Sequence, residues 1–250
     1  MKKALRWIAR GVAALLALLL LAFGALYLTL RHPIPAAVEG PAAESLARRM
    51  NDAVRADAWA RTGAIRWRAR DGARHLWDRR RNLARYERGG LRVLVDLGSR
   101  RGRAWQDGSA LSGEARQRAV DRAWARWAND SFWLNPVPKV FDEGVRRGLA
   151  RDDQGRDALL VTYTVGGVTP GDRYLWILGE DGAPRAWRMW VSVLPIPGVE
   201  ASWEGWITLP TGARVATRHR VAGFTLAVTD IAAAESLEAL VGARDPFQGM

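Results

Sequence analysis

The feature that most constrains this chain is a run of short apolar segments in its second half. Residues 159–165, 174–178, 187–194, 202–209, 213–221 and 224–229 are each rich in β-branched and aromatic side chains. Gly166-Gly167, Asp181-Gly182, residues 195–198, residues 210–212 and Gly223 divide them. Strands at roughly ten- to twelve-residue spacing are the rhythm of a sandwich or barrel. Strand–helix alternation of the doubly wound kind is absent.

A second set of strands precedes it. Ile65, Trp67 and Ala69 alternate with Arg66, Arg68 and Arg70, so one face is apolar and the other is guanidinium. Asp71-Gly72 is a hairpin signal, and the chain returns through residues 74–80. After Gly89-Gly90, Leu91, Val93, Val95 and Leu97 share a face, and residues 102–105 with Asp107-Gly108 supply another short strand and turn. Strands joined this tightly form an antiparallel meander. The predicted helices cover it. One opens at Pro41, with Glu44 in its first turn, carries Leu46, Met50, Ala53 and Val54 on one stripe, and ends at Thr62-Gly63. Another is capped by Ser112 and presents Val120, Ala123, Trp124 and Trp127, with Arg118, Arg122 and Arg126 opposite. A last short helix is expected after Asp230, carrying Ile231, Leu237 and Leu240.

Between helix and second strand set lies WARWANDSFWLNPVPKVFDEG, residues 124–144. Asn129-Asp130 is expected to end the helix, and Pro136 and Pro138 forbid regular helix or central sheet. Phe132, Trp133 and Phe141 are therefore expected on an irregular segment, inserted into something apolar. Twelve of the 13 tryptophans lie beyond residue 30. Trp187 and Trp190, like Trp203 and Trp206, are three apart and project to opposite faces of a strand. Such a sheet is covered on both sides or offers one aromatic face to a ligand.

The N-terminus bears on the compartment. Lys2, Lys3, Arg6 and Arg10 flank Gly11 to Leu30, twenty uncharged residues that as a helix reach about 30 Å. That length favours a retained anchor, with cleavage near Ala22 and Gly24 as the alternative. The positive flank keeps the N-terminus in the cytoplasm and sends the remainder outside. The expected organisation is a transmembrane segment at 1–30, a linker at 31–40 and one domain at 41–250, in the inner membrane with its C-terminal domain in the periplasm. The formal charge is +12, almost all of the excess from arginine. For an exported domain this points to anionic lipid as partner and not to nucleic acid.

The catalytic inventory is thin. With no cysteine there is no thiol, thiolate metal site or lipobox. Residues 166–171 lack the lysine and helix of a phosphate loop, and GxSxG is absent. His75 and His219 have no metal-spaced neighbours on their strands, so neither metal nor cofactor is expected. His219 is placed inward, opposite Arg214, Arg218 and Arg220, as a core histidine. Glu204 reads as a rim carboxylate paired with arginine. Asp130, Asp142 and Glu143 around the aromatic stretch read as turn and cap residues.

The export segment, first helix, meander, interrupting helix and second strand run resemble the lipoprotein-carrier superfamily of LolA, LolB and the mycobacterial LppX group. The segments AWARWANDSFWLNPVPKVFDEGV and TYTVGGVTPGDRYLWIL look like those of bacterial envelope proteins of that fold. The resemblance, over residues 41–241, implies an α+β domain whose curved antiparallel sheet forms an incomplete barrel, closed by two or three helices around an apolar cavity for acyl chains. A retained anchor departs from a shuttling carrier and suggests a tethered, lipid-presenting role. The expectation is a non-catalytic protein that binds a lipid or lipoprotein acyl chain. Phe132, Trp133, Trp176, Trp190 and Trp206 are its wall or lid candidates, and Glu204 and His219 its polar candidates. The alternatives are an envelope hydrolase using His219 with Asp130 or Glu204, and a scaffold without a small ligand.

Overall fold

The structure is a computed structural model that describes residues 2–165 and 169–250; the expected Gly166-Gly167 turn lies outside the described residues. Helix α1 (Lys2–Leu30) contains a stretch, Arg6–Thr29, long and apolar enough to cross a membrane, a test that a signal sequence also passes. The expected first domain helix is two: α2 (Pro41–Ala53) and α3 (Ala56–Arg61), broken where Arg55 takes a left-handed φ of 56°. Six strands follow, β1 (Ala64–Arg68), β2 (Arg74–Asp78), β3 (Leu83–Arg88), β4 (Leu91–Asp96), β5 (Gly102–Gln106) and β6 (Ser109–Ala110). They are the antiparallel meander that the alternation predicts, with Ile65 and Trp67 buried and Arg66 and Arg68 exposed.

Helix α4 (Gly113–Leu134) then crosses to a 3₁₀ turn at Val137–Phe141. Beyond it come β7 (Val145–Arg151), β8 (Asp157–Tyr163), β9 (Arg173–Leu178), β10 (Pro184–Trp190) and β11 (Val199–Ser202). A small hairpin, β12 (Ile207–Thr208) and β13 (Arg214–Val215), precedes β14 (Arg218–Val221), β15 (Phe224–Ala227), β16 (Thr229–Ala234) and α5 (Leu237–Val241). Strand β10 thus stops at Trp190, short of the expected 194, and the segments expected at 202–209 and 213–221 are each split.

The strands form two seven-stranded antiparallel sheets, ordered β16-β1-β2-β3-β4-β5-β6 and β15-β14-β11-β10-β9-β8-β7. The class is α+β, and the two sheets, not closed into a barrel, are joined at one corner. Strands β15 and β16 are consecutive, so the chain leaves the edge of one sheet and joins the edge of the other across buried Val228, whose N–H donates to the Thr217 carbonyl. The far edges, β6 and β7, are bridged by α4 and the 3₁₀ turn. Two sheets hinged at one corner and spanned by a helix at the other enclose an interior without a continuous barrel ladder.

Several local expectations change. Asp230 caps no helix: it lies in β16 at a left-handed φ of 53°, opposite the register break between Arg66 and Arg68, and Arg68 pairs with it at 2.8 Å. Ser236 caps α5, accepting from the Ala239 N–H. Residues 31–40 do not hang free. Val38 pairs with Leu149, the His32 N–H donates to the Pro197 carbonyl, and Ala37 packs on the outer face of the second sheet.

Three packing regions result. Val120 and Ala123 of α4 cover Val93, Val95 and Ala104 of the first sheet. Ala43, Ala47 and Met50 of α2, with Val137 and Val140, cover the second sheet. Between them Leu209, Ala213 and Val215 from the small hairpin meet Trp59, Ile65, Trp67 and Leu134. Burial of large apolar side chains, worth roughly 1.5–3 kcal/mol each, is what holds the sheets to the helix.

Candidate aromatic site under the end of helix 4

Helix α4 does not stop at Asn129-Asp130. Asp130 turns inward instead: its Oδ1 accepts from the amide of exposed Asn129 at 2.9 Å, and its Oδ2 lies 2.8 Å from His75 Nε2 and 3.1 Å from Arg126. With its polar groups engaged sideways the helix runs one more turn, to Leu134, before Pro136 ends it. Phe132 and Trp133 are therefore helical, not loop residues. Phe141, expected to insert, is exposed, with the Arg147 guanidinium 4.9 Å from its ring centre.

From that last turn Phe132 and Trp133 reach the inner face of the second sheet and meet Trp187. Its ring centre is 5.6 Å from Phe132, 5.1 Å from Trp133, 4.7 Å from Tyr174, 4.8 Å from Trp176 and 4.9 Å from Trp203. These offset and edge-on separations are those at which aromatic quadrupoles attract. Trp187 is thus the hub, and it was not among the expected wall residues. A signal for it existed: Tyr174 and Trp176 are two apart on β9, and Trp187 and Met189 two apart on β10, so each pair shares a face. The cross-strand match is harder to read. Counting back from the Asp181-Gly182 turn pairs Trp176 with Ala186, but a bulge between Pro184 and Ala186 moves the register by one and brings Trp176 opposite Trp187.

Of the expected site residues, Phe132, Trp133, Trp176, Trp206 and His219 gather in this cluster, and Trp190 does not. Trp190 faces the other side of the sheet, against Ala150, Ala158, Leu175 and Ala37, and donates its indole N–H to the His32 carbonyl at 2.8 Å. Trp203 and Trp206, expected on opposite faces, belong to the same cluster at 6.2 Å, because the strand breaks at Glu204-Gly205 and Gly205 takes φ 65°. Glu204 sits at the rim, 2.6 Å from Arg220 and 3.6 Å from Arg218.

The cluster carries polar atoms that nothing satisfies, as does the first sheet's core, where Trp67 Nε1, Trp77 Nε1, Trp127 Nε1 and His75 Nδ1 are likewise buried and unpartnered. The indole N–H groups of Trp176, Trp187 and Trp203, the Tyr163 hydroxyl and His219 Nε2 are all buried without a hydrogen-bond partner. Each such group ordinarily costs about 1–3 kcal/mol. His219 is fully buried between Trp133 at 5.2 Å and Trp203 at 4.4 Å, and its Nδ1 contacts the Ser202 carbonyl at 3.1 Å. Burial pushes its pKa down to about 4, so the ring is neutral at pH 7. Nδ1 then carries the proton donated to Ser202, and Nε2, close to the Trp133 main chain, makes no well-formed hydrogen bond. Burial likewise raises the phenols of Tyr163 and Tyr174, which stay protonated.

A histidine–carboxylate pair does form, but not with His219. His75 is fully buried, stacked on Trp67 at 4.6 Å and 12°, and bound to Asp130, which also takes Arg126, itself 2.9 Å from Asp71. This chain of four charged or polar groups ties α4 to the first hairpin. Among the described residues no group of three or more His, Asp or Glu could hold a metal ion.

No protein-family model matches the sequence, and no curated protein matches it. Among solved structures the chain is similar to the crystal structure of a DUF1329 family protein from Desulfovibrio piger, with a TM-score of 0.43 and 14% sequence identity, over 81% of this chain and 95% of that one.

Proposed function

We propose that the protein is a membrane-tethered envelope protein of the lipoprotein-carrier type, which takes a lipid or lipoprotein acyl chain between the second sheet and the end of α4. The supporting observation is the composition of the aromatic cluster: a wall of six-membered and indole rings that nevertheless carries three unpartnered indole donors and an unpartnered imidazole acceptor. A core built only for stability gains nothing from those atoms. A lipid gains from both: the rings bury methylenes at about 0.8 kcal/mol each, and the donors meet ester or amide oxygens.

The rings now touch one another, so entry of a chain requires Phe132 and Trp133 to swing outward with the last turn of α4. The tether fits this reading. His32, just past α1, is fixed to the 191–198 loop, whose Val193 is 71% exposed, so an apolar loop stands beside the point where the chain would leave a bilayer.

Organic extraction of the full chain purified from its native membrane tests the proposal. The expected result is about one lipid per chain, lost when Trp133→Ala is combined with Phe132→Ala in a variant that still melts cooperatively. Extraction that yields no stoichiometric lipid, together with no saturable binding of a fluorescent fatty acid by the detergent-solubilised protein, would overturn it.

A further inference from the structure

A second feature is Arg79, which ties the end of α3 to β2 and has no carboxylate of its own. It follows directly after β2, and its guanidinium lies over two indoles, 4.4 Å from the centre of Trp59 and 5.2 Å from that of Trp77. Nη1 donates to the main-chain carbonyls of Trp59 and Thr62, while Nε is buried without a partner. Among the described residues no carboxylate lies within salt-bridge distance of it. Arg81, two residues on, shows the contrast: it holds Asp78 at 2.6 Å and Asp245 at 2.8 Å. Arg79 is half-buried, and a partly desolvated cation is ordinarily paired with an opposite charge that offsets the lost water.

A pocket of about 310 Å³ opens at this position, between α3, the end of β2 and the segment after α4. Asn51, Trp59, Trp77, Ser131 and Asn135 line it with Arg79, and Lys139 and Asp142 stand at its rim, 3.5 Å from each other. Asn135 Nδ2 and Trp77 Nε1 are buried and unpartnered, against one unpartnered acceptor, Asn51 Oδ1. The pocket therefore combines a guanidinium without a carboxylate partner, an excess of unpartnered donors, and a Lys139–Asp142 pair at its mouth. Planar forked donors suit the oxygens of a phosphate or carboxylate group and cannot serve a cation. The single carboxylate present, Asp142, is 55% exposed and is neutralised by Lys139. Burial lowers the Arg79 pKa to about 10, which leaves the group charged at neutral pH.

We propose that this pocket is a binding site for a phosphate-class oxyanion, free or as the head of a lipid, held by Arg79 with Asn135 behind it and Lys139 at the entrance. The site is separate from the aromatic cluster and stands whether or not an acyl chain binds there.

Calorimetric titration of the full chain in neutral maltoside micelles with inorganic phosphate, and separately with dihexanoyl phosphatidic acid, tests it. Saturable binding of phosphate by itself assigns a free anion. Binding of the short-chain lipid at least about tenfold tighter than phosphate assigns a headgroup, and either result supports the site. Arg79→Gln is expected to weaken binding at least about tenfold, the loss of a charge-assisted hydrogen bond. If that variant does not fold, Lys139→Glu, at the exposed rim, is expected to weaken binding several-fold without altering the melting transition. No saturable binding of either probe would overturn the proposal, as would unchanged binding by a folded Arg79→Gln or by Lys139→Glu.

Discussion

The two sheets treat their tryptophans in opposite ways. On the first sheet and its covering elements nearly every indole is joined to a charged or polar partner. Trp67 stacks on His75, Trp77 and Trp59 lie under Arg79, Trp105 lies under Arg92 at 4.5 Å, and Trp124 lies under Arg100 at 3.6 Å while its N–H donates to the Leu97 carbonyl. On the inner face of the second sheet the buried indoles Trp176, Trp187 and Trp203 meet other aromatic rings, with His219 as the sole titratable ring among them besides tyrosine, while Trp206 at the margin lies under Arg214 at 5.6 Å. Arginine is abundant in both halves of the sequence, so supply does not explain the contrast. Depth bears on it: Trp105 and Trp124 are only partly buried, so the arginines over them keep their water, whereas Trp176, Trp187 and Trp203 are buried beneath α2 and the end of α4.

This contrast can be broken by mutation. The largest effect is expected at the hub. Trp187→Ala removes a fully buried indole that touches five other rings and should cost about 4 kcal/mol in denaturant unfolding. Trp124→Ala, half-buried under Arg100, should cost less than half as much. Equal losses would mean that the two groups are packed alike.

Next is pH. The folded pKa of His219, about 4, lies below its unfolded value near 6.5. The unfolded chain therefore takes up the proton first, and stability is full above about pH 6.5 and falls as pH drops toward 4. A shift of this size is on the order of 3 kcal/mol. His219→Gln should remove that part of the acid sensitivity, as read from melting temperature against pH. An unchanged acid limb would place the sensitivity elsewhere.

Asp130→Asn should cost about 2 kcal/mol, since it weakens charge-assisted bonds to His75 and Arg126 in a buried network. Hydrogen exchange should show the loosening in α4 and the first hairpin before the second sheet. Smallest is Arg100→Ala. A cation over a partly exposed indole is worth about 0.5–1 kcal/mol, and it should be measurable in a double-mutant cycle with Trp124.

How much of this was legible depended on range. The alternation from Ile65 to Arg70 placed β1 and its faces correctly because each residue's side follows from the one before it. The stripe Val120, Ala123, Trp124 and Trp127 did the same for α4. The end of that helix was misread because Asn129 and Asp130 resemble a stop signal, and only the presence of His75, from a strand far back in the chain, explains why they are not one. Asp230 was misread for the same reason: its left-handed backbone serves a bulge opposite β1, not a cap. Trp190 was assigned to the inner wall by its type, although its spacing from Trp187 already put it on the other face.

The sequence alone therefore determined the alternation of β1, the turns at Asp71-Gly72, Gly89-Gly90 and Asp181-Gly182, the apolar N-terminal run and the inward direction of His219. These are local properties, fixed by backbone geometry over a few residues. The tertiary structure decided which aromatic meets which, that the two sheets share a corner at Val228, that Asp130 serves His75, and that Arg79 stands at a pocket with no carboxylate within salt-bridge distance of it among the described residues. Those depend on a one-residue bulge and a strand that changes sheets, and a displacement of one residue reverses every side chain's face beyond it.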